Sequence, residues 1–152
     1  MSIEDVLKSY KPRENDAKPT ASGDFVAQVE KLLKRTGQDG RNWLILEASI
    51  INVVKAKEDN QAVPGDEVSK IYNEDDDKQV EKFLNDMFTA GIDIDRSSKE
   101  AMYASFENAV NKLVYLRGWQ YDKKDGSGKA NSVAIKSKNL LTPENSTSQL
   151  PF

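Results

Sequence analysis

The chain has 152 residues, of which 31% are charged and 38% hydrophobic, and a formal net charge of −3; that length fits one domain able to bury a self-sufficient core. It contains no cysteine and no histidine, which excludes disulfides, thiolate metal sites, thiol nucleophiles, and the commonest general base and metal ligand. No apolar run approaches the roughly 20 residues of a membrane span and no leader-like start is present, so the expectation is a soluble cytoplasmic protein, without catalysis, cofactor or metal.

Residues 1–22 mix charges around Pro12 and Pro19 and predict a flexible N-terminal arm. Gly23 opens a strand over Phe25–Lys34, where Phe25, Ala27, Val29 and Lys31 alternate imperfectly with Val26, Gln28, Glu30 and Leu32. The turn cluster Thr36-Gly37-Gln38-Asp39-Gly40-Arg41 leads into a second strand, Trp43–Val54. Leu44, Leu46, Ala48 and Ile50 make one of its faces; Trp43, Ile45, Ser49 and Ile51 make the other, interrupted by Glu47. A run this long predicts a strand that bends around a barrel. Pro64-Gly65-Asp66 then turns the chain into a third strand, Glu67–Tyr72.

A helical stretch follows, roughly Lys78–Lys112. Its first part, Lys78–Gly91, carries Val80, Phe83, Leu84, Met87 and Phe88 on one stripe, with Gly91 placed as a C-terminal cap. The second part starts near Ser97 or Ser98 and repeats the spacing with Met102, Phe106, Ala109, Val110 and Leu113. Both stripes are expected to face the core.

Val114–Tyr121 and Asn131–Lys136 flank a glycine-containing loop bearing Lys123, Lys124 and Lys129, and predict an antiparallel hairpin. Period-two geometry puts Tyr115, Arg117, Trp119 and Tyr121 on one face and Val114, Leu116 and Gly118 on the other. Rings interleaved with a cation suit a single-stranded nucleic acid, whose bases stack on the rings at ~1–3 kcal/mol each while cations track the phosphates. Trp43 and Tyr72 complete the set of candidate rings. Lys34, Arg35 and Arg41, beside the first turn cluster, join Arg117 and the three loop lysines as candidate phosphate contacts. From Ser137 the chain turns Ser/Thr/Asn/Gln-rich, and residues 139–152 are expected to be a flexible tail.

Charge is segregated along the chain. Glu58–Asp77 carries eight acids and one base, whereas Lys112–Lys138 carries seven bases and two acids. The acidic run Asn73-Glu74-Asp75-Asp76-Asp77 lacks the glycine and terminal glutamate of an EF-hand loop. Its position suits helix capping better than a metal-dependent nuclease. Gly128-Lys129 lacks the spacing of a phosphate-binding P-loop.

The order β-β-β-α-β-β, with a helical insertion before the last hairpin, resembles the OB-fold, a small β-barrel whose first and last hairpin loops frame an oligonucleotide groove. With the basic aromatic hairpin, residues 23–138 resemble the OB-fold domain of single-stranded DNA-binding proteins, particularly the small ones encoded by bacteriophages. The resemblance implies sequence-independent binding of single-stranded DNA, or RNA, in replication, recombination or repair, as a monomer or homo-oligomer in the host cytoplasm. Leu150-Pro151-Phe152 resembles the Pro-Phe carboxyl terminus by which bacterial single-stranded DNA-binding proteins recruit replication and repair partners, although only Glu144 supplies the acidity that usually precedes it. The alternative is a small β-barrel adaptor that binds protein through its exposed aromatic face.

Overall fold

The alternating runs fold into one antiparallel sheet. In the computed structural model, which describes residues 20–146 apart from the side chains of Lys129 and Ser146, the strands are β1 (Gly23–Thr36), β2 (Asn42–Ala56), β3 (Glu67–Asn73), β4 (Leu113–Asp122) and β5 (Lys129–Lys136). Helix α1 (Asp77–Ala90) and the short α2 (Lys99–Ala104), which runs on as a 3-10 turn over Ser105–Ala109, lie between β3 and β4. A 3-10 turn (Lys138–Leu140) and α3 (Pro143–Ser146) follow β5. The sheet order is β3-β2-β1-β4-β5. β1 pairs with β2 from Gly23 to Thr36 but with β4 only from Gly23 to Gln28.

The imperfect alternation in β1 has a local cause. Phe25, Ala27 and Val29 face the core, a register shift falls between Val29 and Lys31, and Leu32 takes the next inward place. One extra residue on a bulged strand moves the following side chains to opposite faces. In β2, Leu44, Leu46, Ala48 and Ile50 are buried as the pattern predicts. The inner faces enclose a core that α1 completes with Phe83 and Met87, and the 3-10 turn with Phe106 and Ala109. Edge-to-face ring contacts run from Tyr72 to Phe83 (5.2 Å), Phe83 to Phe106 (5.8 Å) and Phe106 to Tyr103 (5.8 Å). Burying a ring such as Phe83, 0% exposed, contributes about 1.5–3 kcal/mol.

The sheet does not close into the expected barrel. No ladder joins β3 to β5; instead the Lys70 ammonium crosses the gap and donates to the Val133 carbonyl at 2.7 Å. A cavity of about 190 Å³ opens there between Glu67–Ser69 and Asn131–Val133. Helix α1 packs against both strands below the gap. Burial holds the Lys70 ammonium below its ordinary pKa.

Helix α1 begins at the N-cap Asp76, whose side chain accepts from the Lys78 N–H, and ends at Gly91 with φ 76°. Its stripe is rotated from the prediction. Phe83, Asp86, Met87 and Ala90 are buried, whereas Phe88 is 82% exposed. Asp86 is tolerated inside because the Tyr72 hydroxyl donates to it at 2.6 Å. The second helix is also shorter than the spacing predicts. Val110 is already extended (ψ 133°) and Asn111 adopts φ 69°, so that the Asn111 N–H donates to Val29 O at 2.8 Å. That contact turns the chain into β4.

Both ends of the described chain are built into the body. Thr20 O accepts from the N–H groups of Gln61 and Ala62, and Ala21 and Ser22 are buried. Beyond β5, residues 139–146 of the expected flexible tail make two short turns packed against the sheet, and the rest of that tail, like residues 1–19 of the expected arm, lies outside the described residues. There the Asn52 amide donates to Asn145 O at 2.6 Å and the Asn145 amide donates to Leu140 O at 2.9 Å. Among the described residues, no helix is long and apolar enough to cross a membrane.

Candidate nucleic-acid interface

The outer face of β4 divides where β1 ends. Tyr115 stands opposite Val26, Arg117 opposite Asp24, and Gly118 opposite Gly23; beyond that point β4 is paired with β5 alone. Asp24 therefore meets the first two side chains of the predicted face. The Tyr115 hydroxyl donates to its Oδ2 at 2.7 Å, while Arg117 donates from Nε to Oδ1 at 2.9 Å and from Nη2 to Oδ2 at 3.2 Å. The Arg117 hydrogen bond, more than any other cause, holds the Asp24 carboxyl below its ordinary pKa. Burial, aided by the hydrogen bond to Asp24, pushes the Tyr115 phenol up to about 12.

Two candidates need correction on this account. Tyr115 is 5% exposed and has no ring face to offer a base. Arg117 keeps a half-exposed side chain, but its fork is committed to Asp24. Trp119 and Tyr121, 38% and 48% exposed, lie past the end of β1 and stay open. Gly118 belongs to this boundary, since a Cβ there would lie 2.2 Å from Ala21 O, where the N-terminal segment crosses β4.

The second exposed surface is the outer face of β1–β2–β3. Register aligns Arg35 with Trp43 and Asn73, Leu33 with Ile45 and Ile71, and Lys31 with Glu47 and Ser69. Side chains directly opposite one another on paired strands share a face. Ile71 is 57% exposed, and Leu33, Ile45 and Trp43 are half-buried. Lys31 and Arg35 are exposed, and neither forms an ion pair with a described residue. The indole leans on the first turn, its Nε1 lying 3.7 Å from the place a side chain at Gly37 would start. The sequence pattern did not single out Lys31, Leu33, Ile45 and Ile71 as candidates for this surface. The signal was the apolar outer row of β2, which an all-solvent face does not need.

The remaining candidates separate by depth. Tyr72 is a core ring, 2% exposed, bonded to Asp86 and packed on Phe83, so it too leaves the set of stacking rings. Burial, with the bond to Asp86, pushes its phenol far above the ordinary value. Lys34 lies one residue out of phase with Arg35 and on the opposite face, with Nζ 3.9 Å from Glu74 Oε2 and 4.8 Å from the centre of the Tyr103 ring, so it lies off the outer row that carries Arg35. Arg41 pairs with Asp39 at 3.3 Å, both side chains exposed, an arrangement worth little energy that a phosphate can displace. Lys123 and Lys124 are exposed on the last hairpin loop, which Lys123 N–H closes by donating to Gly128 O at 2.9 Å. The Lys129 side chain and Leu150-Pro151-Phe152 lie outside what is described.

The acidic run acts as the capping reading predicts. Asp76 caps α1, and Asp75 accepts from both the backbone N–H of Asn42 (2.9 Å) and its side-chain amide (3.0 Å). Those bonds hold the Asp75 carboxyl below its ordinary pKa. Among the described residues no cluster of three or more acids is grouped to hold a metal ion. No family model matches the chain, and no curated protein matches it.

Proposed function

We propose that the chain is an OB-type single-stranded DNA-binding protein, acting without catalysis in replication, recombination or repair, with a bacteriophage source as part of the same reading. The OB assignment is supported by the order β3-β2-β1-β4-β5, by a β1 shared between both halves of the sheet, and by a β5 held one side chain away from β3. The observation that carries the function is the outer face of β1–β2–β3, where Trp43, Ile45 and Ile71 lie beside Lys31 and Arg35. Apolar and aromatic surface for bases beside cations for phosphates is the mixture that sequence-tolerant single-strand binding uses. Trp119, Tyr121, Lys123, Lys124 and Lys129 extend it on the last hairpin. Leu150-Pro151-Phe152 is the proposed hook for a replication or repair partner.

The test is a fluorescence titration of both tryptophans with unlabelled single- and double-stranded oligonucleotides at rising salt. Quenching by single strands, with affinity falling steeply with salt, is the expected result. Equal response to duplex, or none to either, contradicts the reading. A second reading, a protein-binding adaptor, is favoured by Phe88, 82% exposed beside a cavity of about 640 Å³ that Leu84, Ile92 and Ile94 help to line. Binding through that surface resists salt, which separates the two.

A further inference from the structure

Beyond the Arg35–Trp43–Asn73 row the chain enters a third hollow. Asn73 is the last residue of β3, and the next, Glu74, donates its N–H to Asn42 O at 2.9 Å, which carries the chain inward beside the first turn. Here the end of β3, the start of α1 and helix α2 border a cavity of about 430 Å³, with Val80, Leu84 and Met102 as its apolar wall and the exposed carboxylates of Asp75 and Asp77 also on its lining. Its volume lies within the range of small-molecule sites, about 300–1,000 Å³. Arg96 and Lys99 stand exposed at the rim, and neither forms an ion pair with a described residue.

Glu74 lines this cavity with a side chain only 7% exposed. Its Oε1 accepts from the Tyr103 hydroxyl. Its Oε2 is buried without a hydrogen-bond partner among the described residues, and the Lys34 ammonium, 3.9 Å away, is too distant to supply one. A buried acceptor left without a donor is costly, and a ligand that brings the donor is correspondingly favoured.

We propose that this cavity takes one base of a bound strand and selects a base with an exocyclic amino group, such as cytosine. The inference rests on the single-strand reading above and deepens it. The apolar wall holds the ring, a small rotation of the Glu74 side chain turns its unpartnered oxygen to accept from the amino group, and Arg96 with Lys99 meets the adjoining phosphate. A carboxylate accepting from cytosine N4 is a recognised pairing, and single strands can splay a base out to present that edge. Thymine has no amino group; its one edge N–H sits between two carbonyl oxygens that the carboxylate repels.

The test places a single dC at successive positions of an oligo(dT) and measures affinity. In parallel, dCMP and dTMP are titrated while the methyl signals of Val80, Leu84 and Met102 are followed by NMR. One position should gain about tenfold, the discrimination expected of one hydrogen bond to a charged group, and dCMP but not dTMP should shift the methyls. Glu74→Gln should bring dC and dT to parity, and Lys99→Glu, at an exposed position, should weaken dCMP. Persistent oligo(dT) binding with no preference at any position and no methyl shifts overturns the cavity proposal alone. Absence of all single-strand binding overturns the broader reading, yet the dCMP titration still decides the cavity: shifts support it and silence overturns it. If Glu74→Gln fails to fold, Lys99→Glu and the mononucleotides carry the test.

Discussion

Tyr115 and Arg117 occupy the same strand face as Trp119 and Tyr121, yet the first pair is locked and the second open. The difference comes from the neighbour. β1 supplies Asp24 opposite Arg117, and its pairing with β4 stops at Gly23. The carboxylate gathers the phenol and the guanidinium at 2.7–3.2 Å, whereas the next two rings overhang the end of the ladder. An alternation of rings and cations is therefore not one surface. Where a strand has lost its partner, rings are available to a ligand; where a charged partner remains, they hold the fold together.

The sharpest break of this comparison is in stability. Tyr115→Ala should destabilise the domain by about 3–5 kcal/mol, the range for large buried rings, while Trp119→Ala should change it by less than about 1 kcal/mol; denaturant melts of both variants check this. Asp24→Asn comes next, at about 1–3 kcal/mol, because it weakens two hydrogen-bonded partners at once. Its pH dependence has a defined sign. The folded carboxyl titrates below its ordinary value of 3.8, so its contribution is present above about pH 4 and is lost as pH falls through the depressed folded value. Wild type should lose more stability than Asp24→Asn across that acid window in melts run at successive pH values.

A smaller effect sharpens the open side. Changing Lys123, Lys124 and Lys129 together to Ala should lower single-strand affinity equally for all sequences and flatten the slope of log K against log salt by about 2, at about 0.7 per phosphate contact. Titrations at several salt concentrations measure it. An unchanged slope moves the strand's path away from the last hairpin.

Much of this was legible in the chain. Strand order followed from turn clusters and alternation, and Gly91 and the Asp75–Asp77 run marked the boundaries of α1 because capping is local chemistry. Pairing is not local. The Asp24 contact joins residues 93 apart in the chain, and no pattern in β4 alone reveals it. Tyr72 read as a free ring because its partner Asp86 lies on a helix face expected to be polar. The bulge after Val29 reversed the faces of Lys34 and Arg35, turning one cation in towards Glu74 and leaving the other on the outer row. The gap left between β3 and β5, crossed by the Lys70 side chain, is a matter of pairing that strand propensity cannot anticipate.

The most direct test of the central claim is the single-strand affinity of Trp119→Ala measured beside that of wild type, with melting curves run on the same samples. The open-face account predicts a loss of about 1–3 kcal/mol in binding with the melting transition nearly unmoved. Full affinity in a folded variant, or a variant that simply unfolds, would contradict it.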